Sequence, residues 1–363
     1  MEIVAIKTFI NVPRQLGQWS HMDADGANLW QPVLSRIPAP AAIFATGRGL
    51  AKPFGVAAGL ADPVEQRLFT TETPFRIASN TKTFVAATAL RLWERGELDL
   101  DAPVAALQTP ALTELLQTAG YGTGEITVRH LLNHSAGIFD HTGTERFTDV
   151  IHQAQGHVWT REEQVRLSCV SSGPTASPGF EFRYSDSGYI LLGDILERVS
   201  ARPLAVLVRQ EMRFDELGMT SAWWEKEEPA PAGVEPRTCQ FIGKEEFTAL
   251  DASADLFGGG GLVMNVRDLA SFMAHLFEAR IFQRPETLAE MLSAGSHKRA
   301  EEYRLGLFSR FVGEVEVFTH AGFWGTLACY SPDSGVAVAG CTLDKAYFGE
   351  LERIVEEFLL AVA

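Results

Sequence analysis

Short segments near both ends of the chain, apolar at one end and alternating at the other, predict strands. Residues 40–46 (PAAIFAT) and 53–60 (PFGVAAGL) predict two strands, and the glycines between them favour a hairpin. After about residue 302 the period of two returns, and YRLGLFSRF, EVEVFTHAG, GTLACYS and GVAVAGCTL predict four more short strands. Residues 1–20 have the pattern of a further strand and a connection.

The middle of the chain has helical periodicity instead. Predicted helices cover residues 22–36, 79–95, 128–134, 161–170, 187–199 and 265–277, and an amphipathic helix over 347–361 closes the chain. Strands at both ends with helices between them predict an α/β (α+β) fold. We therefore expect residues 1–80 and 255–363 to form one sheet domain, into which a mostly helical domain of residues 81–254 is inserted.

The composition is that of a globular protein with a strongly acidic balance. Of the 363 residues, 46% are hydrophobic and 21% are charged, which allows a large core and excludes a disordered or collagen-like chain. The 31 Lys and Arg residues against 46 Asp and Glu residues give a net charge of −15, and no basic run interrupts it. Such a chain should repel nucleic acid and anionic membranes, so we expect neither as a partner.

Cysteine usage and the first residues of the chain indicate the cellular compartment. The four cysteines are scattered along the chain, which argues against a disulfide framework or a metal site and predicts buried free thiols. The chain does not begin with a basic segment followed by a long apolar one, and no apolar run reaches the roughly 20 residues that span a bilayer. From the sequence as given, we expect a soluble, cytoplasmic protein.

Ser79 and Lys82 form the strongest local signal for chemistry. They lie at the start of the predicted helix 79–95, where positions three apart share one face, so the Lys82 ammonium should reach the Ser79 hydroxyl. A serine becomes a nucleophile when a neighbour takes its proton, and a lysine can do so if burial or charge lowers its pKa. The helix N-terminus also offers the Ser79 N–H as an oxyanion donor. Chance supplies about one such motif in a chain of this size, so the pair alone does not establish an enzyme.

Two later motifs add polar groups that such a serine would need. Tyr184, in Tyr184-Ser185-Asp186, is a residue type that can share a proton with a lysine and pass it to a leaving group. His320 ends a strand-like run and is a candidate donor to a substrate oxygen, while Gly322 would allow close backbone approach by a ligand. Taken singly, the tyrosine and the histidine are more simply explained as packing residues.

The order of these motifs resembles the serine hydrolase family of class C β-lactamases, which also contains penicillin-binding proteins, D-Ala-D-Ala carboxypeptidases, D-aminopeptidases and esterases. Segments 75–104, 126–138, 182–200 and 258–273 are similar to the family's nucleophile helix, next helix, tyrosine region and glycine turn. The resemblance covers about residues 30–345. It implies an antiparallel sheet flanked by helices, an all-helical domain and a site in the cleft between them, without metal or cofactor.

The resemblance also implies roles for the matching positions. Ser79 would be the acylated nucleophile, Lys82 its general base and Tyr184 an assistant in proton transfer to the leaving group. The N–H groups of Ser79 and Phe323 would form the oxyanion hole. His320 would lie on the sheet edge and face the substrate.

Two positions depart from the family pattern. Many relatives have asparagine where this chain has Asp186, and a carboxylate near Lys82 would favour the charged lysine and oppose its use as a base. Either Asp186 points elsewhere or Tyr184 carries more of the base role. β-Lactamases have a lysine at the position of His320, and a mostly neutral imidazole attracts an anionic substrate less. With the acidic net charge, this favours neutral or cationic substrates.

We therefore predict a serine hydrolase that cleaves an ester or amide of a small molecule or short peptide through acyl-Ser79, as an esterase or a D-residue peptidase or amidase. The alternatives are a β-lactamase of class C type and a catalytically weak penicillin-binding or ligand-binding protein. We expect the loops 139–160 and 225–255 to form the substrate pocket. Its candidate lining residues are the aromatic side chains Trp223, Trp224, Phe257 and Trp324.

Other kinds of site are disfavoured because residues that they need are missing. His130 and His134 are four apart on a predicted helix, but Leu131 stands where a zinc protease has its glutamate, so we expect the histidines to cap or pack. Residues 258–261 lack the lysine of a phosphate loop and are better explained as a turn. The chain has no Gly-x-Ser-x-Gly motif, which excludes a nucleophile elbow. The sequence does not predict the oligomeric state.

Overall fold

The computed structural model describes residues 25–362 of the chain, so the strand predicted within residues 1–20 lies outside the described residues. The helices are α1 (Asp25–Leu34), α2 (Thr81–Glu94), α3 (Pro110–Thr118), α4 (Val128–Leu132), α5 (Glu145–Gln153), α6 (Arg161–Ser171), α7 (Asp186–Ser200), α8 (Leu204–Glu211), α9 (Val266–Phe277), α10 (Pro285–Met291) and α11 (Phe348–Val362). The strands are β1 (Ala41–Thr46), β2 (Phe54–Ala58), β3 (Leu60–Asp62), β4 (Arg67–Leu68), β5 (Phe75–Arg76), β6 (Trp223–Trp224), β7 (Phe241–Ile242), β8 (Glu245–Glu246), β9 (Leu262–Met264), β10 (Phe308–Val312), β11 (Val315–Gly322), β12 (Thr326–Ser331) and β13 (Val336–Thr342).

Within residues 25–362, a six-stranded antiparallel sheet joins the two ends of the chain, with strand order β10-β11-β12-β13-β1-β2. β1 pairs with β13 in a register that places Ala41 opposite Thr342 and Thr46 opposite Ala337. The predicted hairpin is confirmed by the antiparallel pairing of β1 with β2. The predicted mixed fold of helices and an antiparallel sheet, built from both ends of the chain, is therefore confirmed.

Helices cover both faces of this sheet, because its central strands bury both of their alternating sets of side chains. α9 packs against β1, β12 and β13 on one face, where Phe44 and Ala339 belong to the main hydrophobic core. The other face presents Ile43 and Val338 to a second core with α1 and α11. The two faces thus have separate cores, and the main one continues into the helical part of the chain.

α2 is enclosed by protein on almost every side, since all of its residues except Trp93 are buried. A helix that is buried all round needs neighbours on each side, and α7, α8 and α10 pack against it. Phe84 of α2 also stacks on Phe272 of α9, with ring centroids 3.5 Å apart. This packing fixes the position of the first turn of α2, where Lys82 lies.

Most predicted elements are confirmed, and the misses have physical reasons. The ends of α2, α4, α6, α7, α9 and α11 lie within about two residues of the predicted ones, and α1 occupies part of the predicted segment 22–36. The periodicity does not predict α3, α5, α8 and α10, which are only seven to nine residues long. The predicted strand 53–60 is divided into β2 and β3 at Gly59, whose φ of +90° breaks the extended backbone.

The remaining fold expectations have mixed outcomes. Cys239, Cys329 and Cys341 are buried free thiols as predicted, whereas Cys169 on α6 is only half-buried. No helix of the described residues is long and apolar enough to cross a membrane. The division into residues 1–80 with 255–363 and residues 81–254 stays a prediction. The short strand β6 of the middle segment pairs with β9, so backbone hydrogen bonds cross the boundary near residue 255.

Candidate active site

Ser79 lies in a single 3-10 turn, Ala78–Asn80, that leads directly into α2. The preceding residue, Ala78, has a φ of +48°, which is uncommon for a residue with a side chain. Such strain persists where the surrounding packing imposes it, and Ala78 is 1% exposed. Lys82 Nζ donates a hydrogen bond to Ser79 Oγ at 3.0 Å, as the spacing of the two residues predicts. The turn therefore holds a half-buried serine hydroxyl against a buried ammonium group.

The Lys82 ammonium is completely buried and has three acceptors around it. Besides Ser79 Oγ, these are the carbonyl oxygen of Gly259, at 2.6 Å, and the Asp186 carboxylate, with which Lys82 forms an ion pair. Burial disfavours the charge, but Asp186 and Tyr184 outweigh it and hold the pKa of Lys82 well above its usual value. Of the two expectations for Asp186, the one in which it points elsewhere is wrong. Lys82 is charged in the resting protein and has no free electron pair for the Ser79 proton.

Tyr184 directly precedes Ser185, the N-cap residue of α7, and reaches the same hydroxyl from another side. Lys82 Nζ lies 5.2 Å from the centroid of the Tyr184 ring, and both Ser79 and Lys82 act on the pKa of its phenol. Burial raises the pKa of Tyr184 well above its ordinary value, although the Lys82 charge acts in the opposite direction. The phenol is therefore protonated near neutral pH, so it is a proton donor in the resting site. His134 supports its ring, with centroids 4.2 Å apart.

His320 is buried beside Tyr184 and does not face the substrate side of the site. Its ring is 1% exposed, and its Nε2 lies 3.1 Å from the hydroxyl oxygen of Tyr303. Burial, and then the charge of Lys82, lower the pKa of His320 to about 3, so the imidazole is uncharged. The expectation that His320 lies on a sheet edge facing the substrate is wrong, because β10 continues the sheet beyond β11 and Tyr303 covers the ring.

Gly322 ends β11 where this strand meets the turn that carries Ser79. A Cβ at Gly322 would lie 2.1 Å from Thr326 Oγ1, 2.3 Å from the carbonyl oxygen of Ile77 and 3.0 Å from Asn80 Nδ2. The expected close approach at Gly322 is thus made by backbone and side-chain atoms of the protein itself and not by a ligand. The next residue, Phe323, is 49% exposed and lines a cavity together with Ser79.

This cavity, of about 210 Å³, opens beside Ser79. Its other lining residues are Thr142, Phe147, Thr148, Ile151, His152, Asp186, Ile242, Leu250, Ala254, Asp255, Phe323 and Trp324. Residues of loops 139–160 and 225–255 and Trp324 line this cavity, and its use as the substrate pocket stays a prediction. The predicted contributions of Trp223, Trp224 and Phe257 are wrong: the two tryptophans are buried in β6 beside β9, and Phe257 faces a different cavity.

Two further carboxylates, those of Asp140 and Asp255, lie near the Lys82–Asp186 pair. The sequence does not predict them. Asp140 caps a 3-10 turn by accepting the N–H of Thr142, and Asp255 ends another 3-10 turn at the cavity wall. Burial raises the pKa of each to about 7, and the charge of Asp186 adds to the effect. Neither residue belongs to a recognisable motif, so only the folded chain reveals them.

The histidines of the rejected zinc site have structural contacts, as expected. His130 Nδ1 accepts the N–H of Thr127, which is the N-cap residue of α4. His134 Nδ1 accepts the N–H of Ser185 at 3.2 Å and packs against Tyr184. The two histidines therefore cap a helix and support the tyrosine.

Comparison with known proteins supports the resemblance seen in the sequence. The family model described as Beta-lactamase matches residues 35–347. Esterase EstB of Burkholderia gladioli is 33% identical over 183 residues, which are 46% of this chain and 43% of that protein. The first three curated relatives are matched over 43%, 31% and 54% of their own lengths, so the chain spans about half of their length or less.

Solved structures agree on the fold. The D-stereospecific amidohydrolase from Streptomyces sp. has a TM-score of 0.77 and 24% identity, with 91% of this chain and 96% of that chain covered. The D-amino acid amidase from Ochrobactrum anthropi SV3, complexed with L-phenylalanine amide, has a TM-score of 0.75 and 23% identity, with 93% and 97% covered. Helices and sheet are thus arranged in this chain as in these two proteins.

Proposed function

The chain belongs to the Beta-lactamase family, and on that premise we propose that it is a serine hydrolase that cleaves an ester or amide bond through an acyl-Ser79 intermediate. The observation that carries the proposal is the contact chain from Ser79 through Lys82 to Asp186, with the Tyr184 phenol at the same hydroxyl. Titratable groups that perturb one another in a cleft are candidates for catalysis. Here they converge on the hydroxyl of Ser79, which lines the cavity.

In this mechanism the proton of Ser79 leaves through Lys82. As Ser79 Oγ bonds to the substrate carbonyl carbon, its proton passes to Lys82 Nζ, while Lys82 gives one of its own protons to Asp186. The ammonium charge is kept, and the carboxylate becomes a carboxylic acid. This route needs no neutral lysine, which agrees with the raised pKa of Lys82.

The leaving group then receives a proton, and the proton stored on Asp186 replaces it. Tyr184 gives its hydroxyl proton to the leaving oxygen or nitrogen as the bond to the carbonyl carbon breaks, and Lys82 restores it from the proton held by Asp186. Water repeats the sequence on the acyl-Ser79 ester and releases the acid. At the end of the cycle, Ser79, Lys82, Tyr184 and Asp186 have their starting protons again.

We propose the N–H groups of Ser79 and Phe323 as the oxyanion hole. Phe323 follows β11 at the point where Gly322 lets this strand touch the turn that carries Ser79. Both residues line the same cavity. A single donor to the developing oxyanion is typically worth about 10²–10³ in rate, so this backbone placement is a substantial part of the proposed catalysis.

An ester or amide substrate fits this site better than a β-lactam does. The uncharged, buried His320 offers no cation to a β-lactam carboxylate. EstB, an esterase, and the Streptomyces D-stereospecific amidohydrolase bear names that support an ester or amide substrate. We therefore prefer an esterase or D-residue amidase over a β-lactamase.

Covalent labelling tests the proposal. A fluorophosphonate should leave its adduct on Ser79, located by mass spectrometry of the digested protein, and the Ser79→Ala variant should take up none. Hydrolysis of p-nitrophenyl esters of several chain lengths, D-alanyl p-nitroanilide and nitrocefin then ranks the substrates. A folded sample without label on Ser79, or undiminished hydrolysis by Ser79→Ala, would overturn the proposal.

A further inference from the structure

His134 holds the backbone on both sides of Tyr184. Its main-chain carbonyl oxygen accepts the N–H of Arg183 at 2.8 Å, and its ring nitrogen Nδ1 accepts the N–H of Ser185 at 3.2 Å. The residue between these two donors is Tyr184, which lies in neither a helix nor a strand. One histidine thus anchors the chain immediately before and immediately after the phenol.

The imidazole of His134 also contacts the phenol ring itself. The two ring centroids are 4.2 Å apart, with the ring planes inclined by 36°. The imidazole has little freedom to move, because it is 2% exposed and the rings of Tyr189 and Tyr303 pack against it at 5.0 and 4.7 Å. A confined imidazole therefore sets both the backbone and the ring of Tyr184.

The hydrogen bond from Ser185 requires an uncharged imidazole. A protonated imidazole carries N–H groups at both nitrogens and cannot accept a hydrogen bond. Burial, and then the charge of Lys82, lower the pKa of His134 well below its ordinary value, so Nδ1 keeps its lone pair near neutral pH. In this tautomer the ring proton is on Nε2.

The fold holds His134 there at a cost. Its φ of +57° is uncommon for a residue with a side chain. Its Nε2 is buried and has no hydrogen-bond partner within residues 25–362. Strained backbone and unpaired buried polar atoms recur at functional sites, where the surrounding packing imposes them. The placement of Tyr184 is what this arrangement achieves.

We infer that His134 is a positioning residue for the leaving-group step: by accepting the Ser185 N–H, it keeps the Tyr184 phenol where it can protonate the departing oxygen or nitrogen. The inference rests on the proposed function, because it assigns a residue to one step of that mechanism. His134 itself exchanges no proton in the cycle and acts only through Tyr184.

Three substrates with one acyl group and different leaving groups test this role. They are the p-nitrophenyl ester, the benzyl ester and the p-nitroanilide of butanoic acid. p-Nitrophenolate leaves as a stable anion, whereas benzyl alcohol and p-nitroaniline leave only with a proton from a general acid. A misplaced phenol should therefore slow the benzyl ester and the anilide and spare the p-nitrophenyl ester.

His134→Phe keeps a ring in place but removes the acceptor for the Ser185 N–H. In this variant kcat/KM for the benzyl ester and the anilide should fall by about tenfold or more, while the value for the p-nitrophenyl ester stays within about threefold. His134→Asn should rescue the two slowed substrates, because its Oδ1 can take the place of Nδ1 and asparagine tolerates a positive φ.

His130→Phe is the matched control. His130 Nδ1 also accepts a backbone N–H at 3.2 Å, that of Thr127, but this bond caps α4 and does not hold Tyr184. The control should keep the wild-type ratios among the three substrates. Thermal melting checks folding, and fluorophosphonate labelling of Ser79 counts the active sites. If His134→Phe does not fold, His134→Gln replaces it, because its amide lies one bond further from the backbone than Nδ1.

The outcomes separate the two proposals. Equal losses for all three substrates in the folded variant without the acceptor, unchanged ratios in that variant, the same shift in His130→Phe, or no rescue by His134→Asn overturns the inference. A wild-type protein that is labelled on Ser79 but hydrolyses neither the benzyl ester nor the anilide also overturns it, because no acid-assisted step then exists. In these cases the label on Ser79 leaves the proposed function standing. A wild-type protein without label on Ser79 refutes the proposed function itself.

Discussion

Replacing Asp186 with asparagine tests the proton route through the site. The amide has nearly the shape of the carboxylate, so the change removes the charge that faces Lys82 and little else. Lys82 would keep its hydrogen bonds to Ser79 Oγ and the Gly259 carbonyl oxygen. The variant therefore asks how the serine loses its proton when no carboxylate is next to the ammonium group.

The size of the expected change in the pKa of Lys82 follows from its contact with Asp186. Two unit charges about 4 Å apart interact by about 4 kcal/mol at an effective dielectric constant of 20. One pKa unit corresponds to about 1.4 kcal/mol, so loss of the Asp186 charge should lower the pKa of Lys82 by about three units. Complete burial, which already disfavours the charged lysine, then becomes the dominant influence on Lys82.

The assay is the pH dependence of kcat/KM for an ester substrate. In the wild-type protein the rate should be flat between about pH 7 and 9, because Lys82 stays charged there and passes its proton to Asp186. In Asp186→Asn the lysine itself has to be neutral, so the rate should fall about tenfold per pH unit below the lowered pKa of Lys82. The acidic limb of the profile thus moves to higher pH in the variant.

The opposite pattern would refute this reasoning. If neutral Lys82 is already the base in the wild-type protein, the wild-type rate should climb steadily from pH 7 to 9, and Asp186→Asn should be the faster enzyme at pH 7. Loss of the fold is a separate outcome that thermal melting detects. Removal of one partner of a buried ion pair costs about 3–5 kcal/mol when the other stays charged, and less here if Lys82 releases its proton.

Two further changes probe the leaving-group step and the support of α2. Tyr184→Phe should lower kcat/KM for a p-nitroanilide substrate by about 10²-fold, the usual contribution of a general acid, because the amine leaves only after it gains a proton; a value within threefold of wild type removes the phenol from the mechanism. Phe272→Ala should lower the free energy of unfolding by about 3–5 kcal/mol in urea titrations, because it deletes the ring stacked on Phe84. The control Phe311→Ala, at a side chain that is 68% exposed, should change it by less than about 0.5 kcal/mol, and equal losses in the two variants would contradict the packing argument.

The parts of the site that the sequence predicts are those set by local geometry. The three-residue spacing of Ser79 and Lys82 has one outcome at a helix start, and the 3.0 Å hydrogen bond follows from it. The β1–β2 hairpin was predictable in the same way, because two short apolar segments are joined by glycines that favour a turn. The resemblance to a known family then indicated that Tyr184 would meet this pair, over a hundred residues along the chain.

The parts that it misses depend on contacts between distant segments. Nothing near Asp255 marks it as a cavity residue, and its position depends on Gly260 having no side chain. The position of His320 was predicted wrongly for a similar reason, because Tyr303 covers it. Tyr303 lies on the segment before β10 and belongs to no motif. A pattern of apolar and polar positions shows that such residues are near a strand or a turn, but not which of them face a cavity.

The carboxylate at position 186 decides how Ser79 can lose its proton. With asparagine there, the buried lysine would be the only charge in contact with Ser79, and burial would favour its neutral, basic form. Asp186 stabilises the ammonium form instead, because the two groups form an ion pair. The same ion pair that keeps Lys82 from acting as a simple base therefore supplies the acceptor for the proton that Ser79 releases through Lys82.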